Sequence, residues 1–282
     1  MSKKDKKRAV ITGAGSGLGR ELALALAAEG WMLGLADLRE EAAAETLAMV
    51  QRNGGHGDTF RLDVREPDQV AAMASYFWSE WGGVDLLINN AGVAAAGPVG
   101  DMPLDEWKRV VDTNFWGMVY GCHSFIPKMC EQGGGYIVNV SSAAGFASLM
   151  HMAAYNTSKA AVISLSETLS NEVSPHKIGV TVVCPSFFDT HLLDGATFCE
   201  GWEDEFAHAC FAHAKMDAAE IARRTVKAIK RRRLYLVPQP SAKLVWMMKR
   251  MTPGIFYGNL AFYNKAGLAR PLVLWMAKHG LI

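Results

Sequence analysis

Short apolar runs alternate with longer amphipathic stretches from Arg8 to Cys184. The runs are nearly continuous in hydrophobic and β-branched residues, as is typical of strands buried on both faces of a parallel sheet. The stretches between them have the spacing of apolar residues that is expected for helices covering such a sheet. The pattern therefore predicts an α/β fold, a Rossmann-type doubly wound parallel sheet whose ligands bind beyond the carboxyl ends of the strands.

The alternation also predicts the organisation of the chain. The predicted strands are Arg8–Thr12, Trp31–Ala36, Thr59–Leu62, Val84–Asn89, Tyr136–Val140, Val180–Cys184 and Leu234–Val237, and the predicted helices are Leu18–Glu29, Glu40–Arg52, Asp68–Trp81, Asp105–Cys130, Ala154–Val173 and residues 217–233. We expect one domain over residues 1–238, with an aromatic-rich insertion at 186–216. Residues 239–282 are expected to form a basic, aromatic-rich C-terminal extension.

A glycine-rich segment lies between the first strand and the first helix. It contains Gly13, Ser16, Gly17, Leu18 and Gly19. Glycine permits positive φ and a close approach of backbone to ligand, and a helix N-terminus attracts a pyrophosphate. In this strand–helix context, the segment predicts a dinucleotide-binding loop.

The second strand is followed by Asp37, 18 residues after Gly19. A carboxylate here accepts hydrogen bonds from the hydroxyls of an adenosine ribose and repels a 2′-phosphate. NAD is therefore favoured, although Arg39 is close enough to reach such a phosphate, and NADP stays the alternative. Asp37 is also a candidate helix cap for the segment that begins at Glu40, and both roles could coexist.

Ser142, Tyr155 and Lys159 form the candidate catalytic group. The four-residue step from Tyr155 to Lys159 places both side chains on one face of a helix. A free tyrosine has a pKa near 10, and a neighbouring ammonium lowers that pKa toward the range of efficient general acid/base catalysis. The Ser142 hydroxyl follows a strand and is expected to hold the substrate oxygen while its charge changes.

With these motifs, the chain resembles a short-chain dehydrogenase/reductase of the single-domain type. The matching positions, in order over residues 8–190, are Thr12-Gly13-x3-Gly17-x-Gly19, Asp63-Val64, Asn89-Asn90-Ala91-Gly92, Asn114, Ser142, Tyr155-x3-Lys159 and Pro185-x4-Thr190. One position departs from the pattern, because Ser186 follows Pro185 where the family usually has glycine. The four-residue spacing of Tyr155 and Lys159 indicates carbonyl rather than C=C chemistry.

The resemblance implies an NAD(P)-dependent oxidoreductase in which Tyr155 exchanges the proton and Ser142 orients the substrate. Lys159 would also hold the nicotinamide ribose, and Asn114 would hold a water for proton relay. The other implied cofactor contacts are Asp63 and Val64 at the adenine, Asn90, Ala91 and Gly92 along the cleft, and Pro185 and Phe188 in the loop of Thr190, which would bind the carboxamide. The alternative function is a non-catalytic dinucleotide-binding regulator, which would have no need for the four catalytic groups together.

The insertion is expected to form a lid over a bulky apolar secondary alcohol or its ketone, of steroid, retinoid, terpenoid or aryl type. Its apolar residues are Phe187, Phe188, Leu192, Leu193, Phe198, Trp202, Phe206 and Phe211, and the opposite wall would comprise Phe146, Leu149, Met150 and Met152. The alternative is a small helical core without substrate contact. His151 and His191 are expected near the pocket, either in contact with substrate or in an ordinary surface role.

Charge is distributed unevenly along the chain. Residues 221–282 contain thirteen Lys or Arg and no Asp or Glu, whereas residues 9–220 carry a formal net charge of −16. The extension therefore suits either peripheral contact with an anionic membrane or packing within an oligomer. The overall net charge of +1 gives no nucleic-acid signature. The resemblance implies a homodimer or homotetramer built through the helices at 105–130 and 154–173.

Five cysteines without a repeating spacing favour a reduced, cytoplasmic chain over a disulfide framework. No stretch approaches the roughly 18 apolar residues of a membrane span. Cys199, His208, Cys210 and His213 fit no zinc-binding spacing well, so no metal is expected.

Overall fold

The computed structural model describes residues 7–281. Its strands are β1 Arg8–Thr12, β2 Met32–Asp37, β3 His56–Arg61, β4 Leu86–Asn89, β5 Ala95–Ala96, β6 Gly135–Val140, β7 Ile178–Val183, β8 Thr197–Phe198 and β9 Tyr235–Leu236. Seven of these strands form one parallel sheet in the order β3-β2-β1-β4-β6-β7-β9, and β5 pairs with β8 beside it. The predicted doubly wound parallel sheet is confirmed.

The helices cover both faces of this sheet. They are α1 Gly17–Ala27, α2 Glu40–Arg52, α3 Pro67–Trp81, α4 Leu104–Val111, α5 Gly117–Gln132, α6 Ala144–Ala147, α7 Ala153–Glu172, α8 Gly201–Ala212, α9 Ala218–Lys230, α10 Pro240–Met251, α11 Pro253–Lys265 and α12 Ala269–Lys278. One apolar core packs α1 and α9 against the sheet, and the other packs α3, α5 and α7 against the opposite face. Because both faces are covered, the central strands are buried along almost their whole length.

The edge strand β3 differs from the central strands. The hydrophobic pattern predicts Thr59–Leu62, but the strand begins at His56, which pairs with Met32 of β2. Its residues are only partly buried, since nothing pairs with its outer side within the described sheet. Backbone pairing, not apolar burial, therefore defines where this strand begins.

The predicted helix Asp105–Cys130 is correct in position but wrong in continuity. A π-helical turn, Asp112–Trp116, joins α4 to α5. Such turns add a residue to the helical repeat and occur most often at functional sites. The turn contains Asn114, which is completely buried.

The order of strands reverses direction at β1, which has β2 on one side and β4 on the other. Parallel register places the carboxyl ends of β1, β4, β6 and β7 along one edge of the sheet. Ligands of open α/β sheets bind in the crevice outside such a switch point. This edge is therefore where the candidate site residues are expected to meet.

The C-terminal extension is helical and folds back on the sheet domain. Helix α10 packs against α6, and α12 packs against α8 of the predicted lid. None of the helices within residues 7–281 is both long enough and apolar enough to cross a bilayer. All five cysteines are free.

Candidate active site

The glycine-rich loop turns tightly between β1 and α1. Gly13 and Gly17 have positive φ angles of 65° and 49°, which glycine adopts without strain. Helix α1 begins at Gly17, and its N-cap Ser16 makes no side-chain capping bond. The first N–H groups of the helix are therefore not capped by that side chain and fit an anionic pyrophosphate.

Asp37 lies beside this loop at the end of β2. One carboxylate oxygen accepts a 2.8 Å hydrogen bond from the Gly15 N–H, and the other accepts a 3.0 Å bond from the Arg39 N–H. The helix-cap interpretation of Asp37 is wrong, because Arg39 is the N-cap of α2 and no side chain caps that helix. Asp37 instead connects the end of β2 to the glycine-rich loop.

The segment after β4 is held against the same loop. The Thr12 hydroxyl accepts hydrogen bonds from the N–H groups of Asn90 and Ala91, at 3.0 and 3.2 Å. The Asn90 side-chain amide donates to the Thr12 and Gly13 carbonyls. The two neighbouring strands therefore present their ends as one rigid unit on either side of the switch point.

Asn114 fastens the following residues from the π-helical turn. Its amide oxygen accepts a 2.8 Å bond from the Val93 N–H, and its NH2 group donates to the Val93 carbonyl and the Ser158 hydroxyl. A side chain at Gly92 would lie 3.2 Å from the Asn114 oxygen and 3.4 Å from the Lys159 ammonium. Asn114 therefore fixes the loop next to Lys159.

The structure brings Ser142, Tyr155 and Lys159 together. Ser142 follows β6, and its hydroxyl lies close enough to the Tyr155 side chain to oppose the effect of burial on the Tyr155 pKa. Tyr155 and Lys159 project from the first turns of α7, with the Lys159 Nζ 5.6 Å from the centre of the Tyr155 ring. Lys159 donates a 3.0 Å hydrogen bond to the Val140 carbonyl at the end of β6.

Burial controls the protonation of both groups. Burial raises the pKa of Tyr155 to about 12, and the Ser142 hydrogen bond opposes this only in part. Burial also lowers the pKa of Lys159 to about 8. The expectation that the ammonium lowers the tyrosine pKa is therefore wrong for this structure, because burial dominates and the ammonium is bonded to a carbonyl instead.

Asp63 and Val64 follow β3 near the adenine end of the predicted cleft. The Asp63 carboxylate pairs with the Arg65 guanidinium at 2.6 Å, and that hydrogen bond holds the pKa of Asp63 below its usual value. Val64 is buried, and a side chain at Gly117 in α5 would clash with it. Asp63 thus has an ion-pair partner in this structure, and Val64 is part of the packing.

The loop after β7 contains the remaining predicted cofactor residues. The Pro185 carbonyl accepts bonds from the Ala143 N–H at 2.8 Å and the Ser142 hydroxyl at 3.3 Å, so this loop touches the catalytic group. Phe188 packs against the core that contains α1 and α9. Thr190 is partly exposed. The structure therefore places Pro185 beside the acid/base group and Phe188 mainly in the core.

The chain matches known proteins over most of its length. A family model described as short chain dehydrogenase matches residues 7–197. Probable oxidoreductase EphD of Mycobacterium tuberculosis is 35% identical over 252 residues, which cover 86% of this chain and 43% of that protein. The chain thus spans less than half the length of this curated relative. A 3beta-hydroxysteroid dehydrogenase of Mediterraneibacter gnavus is 33% identical over 195 residues, or 69% of this chain and 70% of that protein.

A solved structure is similar throughout. It is a short-chain dehydrogenase/reductase from Burkholderia phymatum in complex with NAD, with a TM-score of 0.83 and 34% identity over 89% of this chain and 95% of that one. This chain belongs to the short-chain dehydrogenase/reductase family. As a member of that oxidoreductase family, it uses a nicotinamide dinucleotide, and the uncapped start of α1 fits the pyrophosphate of such a cofactor.

The lid of this dehydrogenase/reductase is packed differently from the expectation. Phe187, Phe206 and Phe211 meet edge to face, with ring centres 5.8–6.0 Å apart, and form a core with Ala277 of α12. The packing of these aromatic residues thus fits the alternative interpretation of the insertion, a small helical core, better than that of a substrate lid. Leu192 does pack in the cluster that contains Tyr155 and Met152. Phe146 is not a pocket wall, because it is buried against Trp246 of α10.

His151 anchors the lid. It has a positive φ of 62°, and its Nδ1 lies 2.6 Å from a carboxylate oxygen of Glu203 in α8. The other Glu203 oxygen accepts hydrogen bonds from the N–H groups of Cys199 and Glu200. His151 thus joins the start of α7 to a buried carboxylate of the lid. The side chain of His191 lies outside what the structure describes.

Within the described residues, the side chains that could together hold a metal ion differ from those considered in the sequence analysis. His151, Glu200 and Glu203 offer ligand atoms within 4.8 Å of one another, whereas no such group combines Cys199, His208, Cys210 and His213. Glu200 is bonded to the Trp202 indole and to Arg270, and Glu203 to His151. These polar contacts describe an ion-paired lid.

Gln239 is the site residue that sequence reasoning missed. Its side-chain oxygen accepts a 3.0 Å bond from the Ser186 N–H, and its NH2 group donates to the Phe187 carbonyl at 3.3 Å. Gln239 immediately precedes α10 and is buried. No local motif marks it, because its partners lie more than fifty positions away in the sequence.

We expect Gln239→Ala to lower kcat/KM about tenfold through displacement of the 185–188 loop. Two hydrogen bonds are lost, so the free energy of unfolding should fall by about 1 kcal/mol. Steady-state kinetics and urea unfolding measure the two effects. Gln51→Ala on the exposed surface of α2 is the matched control, and an unchanged kcat/KM in Gln239→Ala would contradict the positioning role.

We expect Lys159→Met to abolish turnover yet to raise the free energy of unfolding at pH 7 by about 1–3 kcal/mol. The folded pKa of Lys159 is lowered, so burying its charge costs stability fully below pH 8. This cost disappears as the pH rises toward the unfolded pKa of about 10.4. The gain should therefore shrink between pH 8 and 10.

Urea unfolding of both proteins at pH 7 and pH 10 measures this difference. Lys227→Met, on an exposed position of α9, is the control and should change stability by less than about 0.5 kcal/mol. A Lys159→Met protein that is less stable than the native protein at pH 7 would show that the buried ammonium stabilises the fold.

Proposed function

We propose that this protein is an NAD-dependent dehydrogenase that interconverts a bulky apolar secondary alcohol and its ketone. The observation that carries the proposal is the meeting of the Ser142 hydroxyl, the Tyr155 phenol and the buried Lys159 ammonium at the carboxyl edge of the sheet. A dinucleotide-binding regulator would not need this group together with Asn114. The enzyme is therefore favoured over the regulator.

Tyr155 is the proposed general acid/base. In ketone reduction, its neutral phenol donates a proton to the substrate oxygen, and in alcohol oxidation its phenolate accepts the hydroxyl proton. The Ser142 hydroxyl hydrogen-bonds the same oxygen and orients the substrate. The bound dinucleotide supplies or accepts the hydride. A pKa of about 12 keeps Tyr155 protonated at neutral pH, so the protein as described is prepared for the acid step.

Lys159 is proposed to act on Tyr155 as a nearby cation and to bind the nicotinamide ribose. With a pKa of about 8, it is mostly charged at pH 7, and a phenolate formed on Tyr155 during oxidation would lie near this positive charge. Its hydrogen bond to the Val140 carbonyl uses one of the ammonium's N–H groups and leaves the others for a ligand. An ammonium has three donors, so ribose hydroxyls are suitable acceptors.

The preference for NAD is proposed on Asp37. Its carboxylate lies against Gly15 of the phosphate loop, where a 2′-phosphate would meet a negative charge. The neighbouring Leu38 is exposed and offers no cation, so Arg39 is the nearest basic side chain in sequence. The NAD complex of the Burkholderia relative supports this choice. The remaining contacts to the cofactor are proposed to be those that the family motifs imply.

The apolar substrate class is proposed on the residues around Tyr155. Leu192 of the insertion and Met152 pack with Tyr155 in one apolar cluster, which suits a hydrophobic ring system next to the reacting carbon. The relative named as a 3beta-hydroxysteroid dehydrogenase supports a polycyclic alcohol of this kind.

A homodimer or homotetramer is proposed through α5 and α7. These helices share an apolar groove lined by Val119, Cys122, His123, Ile126, Pro127, Leu165 and Leu169. An apolar groove of this kind suits a second copy of the chain, because most soluble oligomers are symmetric assemblies of identical subunits.

We expect Tyr155→Phe to lose about 10²- to 10⁴-fold in kcat, because the proton donor and acceptor is removed. Dinucleotide affinity should stay within about threefold of the native value. Turnover is followed by nicotinamide absorbance with a panel of bulky secondary alcohols, and affinity by cofactor fluorescence. Tyr76→Phe, at a partly exposed ring of α3, is the control. Retained turnover in Tyr155→Phe would remove Tyr155 from the mechanism.

We expect Asp37→Asn to reduce the preference for NAD over NADP at least about tenfold in kcat/KM. Asparagine keeps an acceptor for the Gly15 N–H but removes the charge that repels a 2′-phosphate. Parallel kinetics with both cofactors measure the ratio. Glu41→Gln removes a nearby exposed charge of α2 and should leave the ratio unchanged. An unchanged ratio in Asp37→Asn would mean that Asp37 only supports the loop.

A further inference from the structure

The last three helices expose far more apolar surface than the rest of the chain. Of the 18 large hydrophobic side chains that are exposed in the described residues, 13 lie between Leu244 and Leu281. Helix α11 has no buried residue. A helix that leaves so many apolar side chains exposed is unfavourable in water, and a patch of this kind marks an interaction site.

The exposed residues are arranged as a stripe on α10. Ala242 and Trp246 face the protein and pack with Phe146, whereas Leu244, Met247, Met248 and Met251 are exposed on the side that points away. The stripe continues on α11, where Ile255 and Phe262 are each 66% exposed and lie two turns apart. Both helices therefore leave large apolar side chains exposed to solvent.

Cationic side chains accompany the exposed apolar residues of α10 and α11. No Asp or Glu occurs between residues 221 and 282, and no described carboxylate pairs with Lys243, Lys249, Arg250 or Lys265. The Lys249 Nζ lies 5.5 Å from the Tyr257 ring, and the Arg250 guanidinium lies over the Trp246 ring. Aromatic rings beside unpaired cations, without acids, are the composition of a helix that lies in the headgroup region of an anionic membrane.

We propose that α10 and α11 form a peripheral docking surface for anionic phospholipid membranes. A second copy of the chain is the less suitable occupant, because lysine is depleted in the cores of protein interfaces and the chain presents a separate apolar groove on α5 and α7. Four unpaired cations instead match the negative surface potential of an anionic leaflet. This inference does not depend on the proposed dehydrogenase activity.

The docking surface is physically connected to the lid. Helix α12 follows α11 and pairs with α8 through Arg270–Glu200 at 3.0 Å and Lys278–Glu205 at 2.8 Å. Its Ala277 packs in the aromatic core of the lid. A membrane bound at α10 and α11 would therefore lie next to the lid, where an apolar molecule dissolved in the bilayer can reach the insertion.

Sedimentation with vesicles tests the docking surface on the full-length chain. We use vesicles of pure phosphatidylcholine and vesicles with about one quarter phosphatidylglycerol, at low and high salt. The native protein is expected to bind the anionic vesicles at least about tenfold more strongly, and high salt should weaken that binding. Equal, or no, binding to both kinds of vesicle would overturn the proposal.

Two variants separate the apolar and cationic contributions. Ile255→Ser with Phe262→Ser should lower binding to anionic vesicles at least about tenfold, and Lys243→Gln with Lys265→Gln about tenfold. Val99→Ser with Leu104→Ser is the matched control, since these side chains are 68% and 83% exposed away from the extension. Its binding should equal that of the native protein, and a similar loss in the control would overturn the assignment.

Light scattering tests whether a second copy of the chain, instead of a membrane, binds the docking surface. The serine pair at Ile255 and Phe262 should leave the molar mass of the protein in solution unchanged, as should the control pair. A smaller oligomer in the serine pair, with vesicle binding as in the native protein, would overturn the proposal and identify the face as an interface between copies. Point variants are used because removal of residues 239–282 would also remove Gln239 from the cofactor-side loop.

Discussion

The ammonium of Lys159 is buried and donates a hydrogen bond to one backbone carbonyl, that of Val140. A charge with so few partners is costly to bury, which explains why its pKa falls to about 8. The side chain can nevertheless stay there because two interactions fix the backbone around it. The Ser141 hydroxyl bonds to the Lys159 carbonyl at 2.7 Å, and Asn114 holds the loop that passes next to Lys159. The site thus depends on holding an unfavourable charge in place.

This constraint accounts for the π-helical turn. A regular helix from Asp105 to Cys130 would put Asn114 at a different angle, whereas the inserted residue directs its amide toward Val93 and Ser158. The resemblance implies that Asn114 holds a water, and in this structure its amide bonds to the backbone of Val93. Both roles need the Asn114 side chain to be buried near Lys159, and the π-helical turn places it there.

The sequence predicts those parts of the molecule whose physics is local. Buried strands need apolar residues at every position, and a phosphate loop needs glycine next to a helix start, so β1, β7 and the segment around Gly17 follow from short windows. Gln239 and the contact of His151 with Glu203 could not be predicted in this way, since each joins segments more than fifty residues apart. The predicted lowering of the Tyr155 pKa was wrong for the same reason, because the degree of burial depends on tertiary structure.

For the aromatic residues of the insertion, composition correctly predicts an apolar environment but does not predict where the rings pack. Phe187, Phe206 and Phe211 indicate an apolar environment, but their rings pack on one another and on α12 instead of facing an open pocket. The lid and helix α12 of the C-terminal extension therefore share one close-packed core. Packed side chains and two ion pairs join α12 of the extension to the insertion that follows Pro185. The basic, aromatic extension is therefore in direct physical contact with the segment next to the candidate active site.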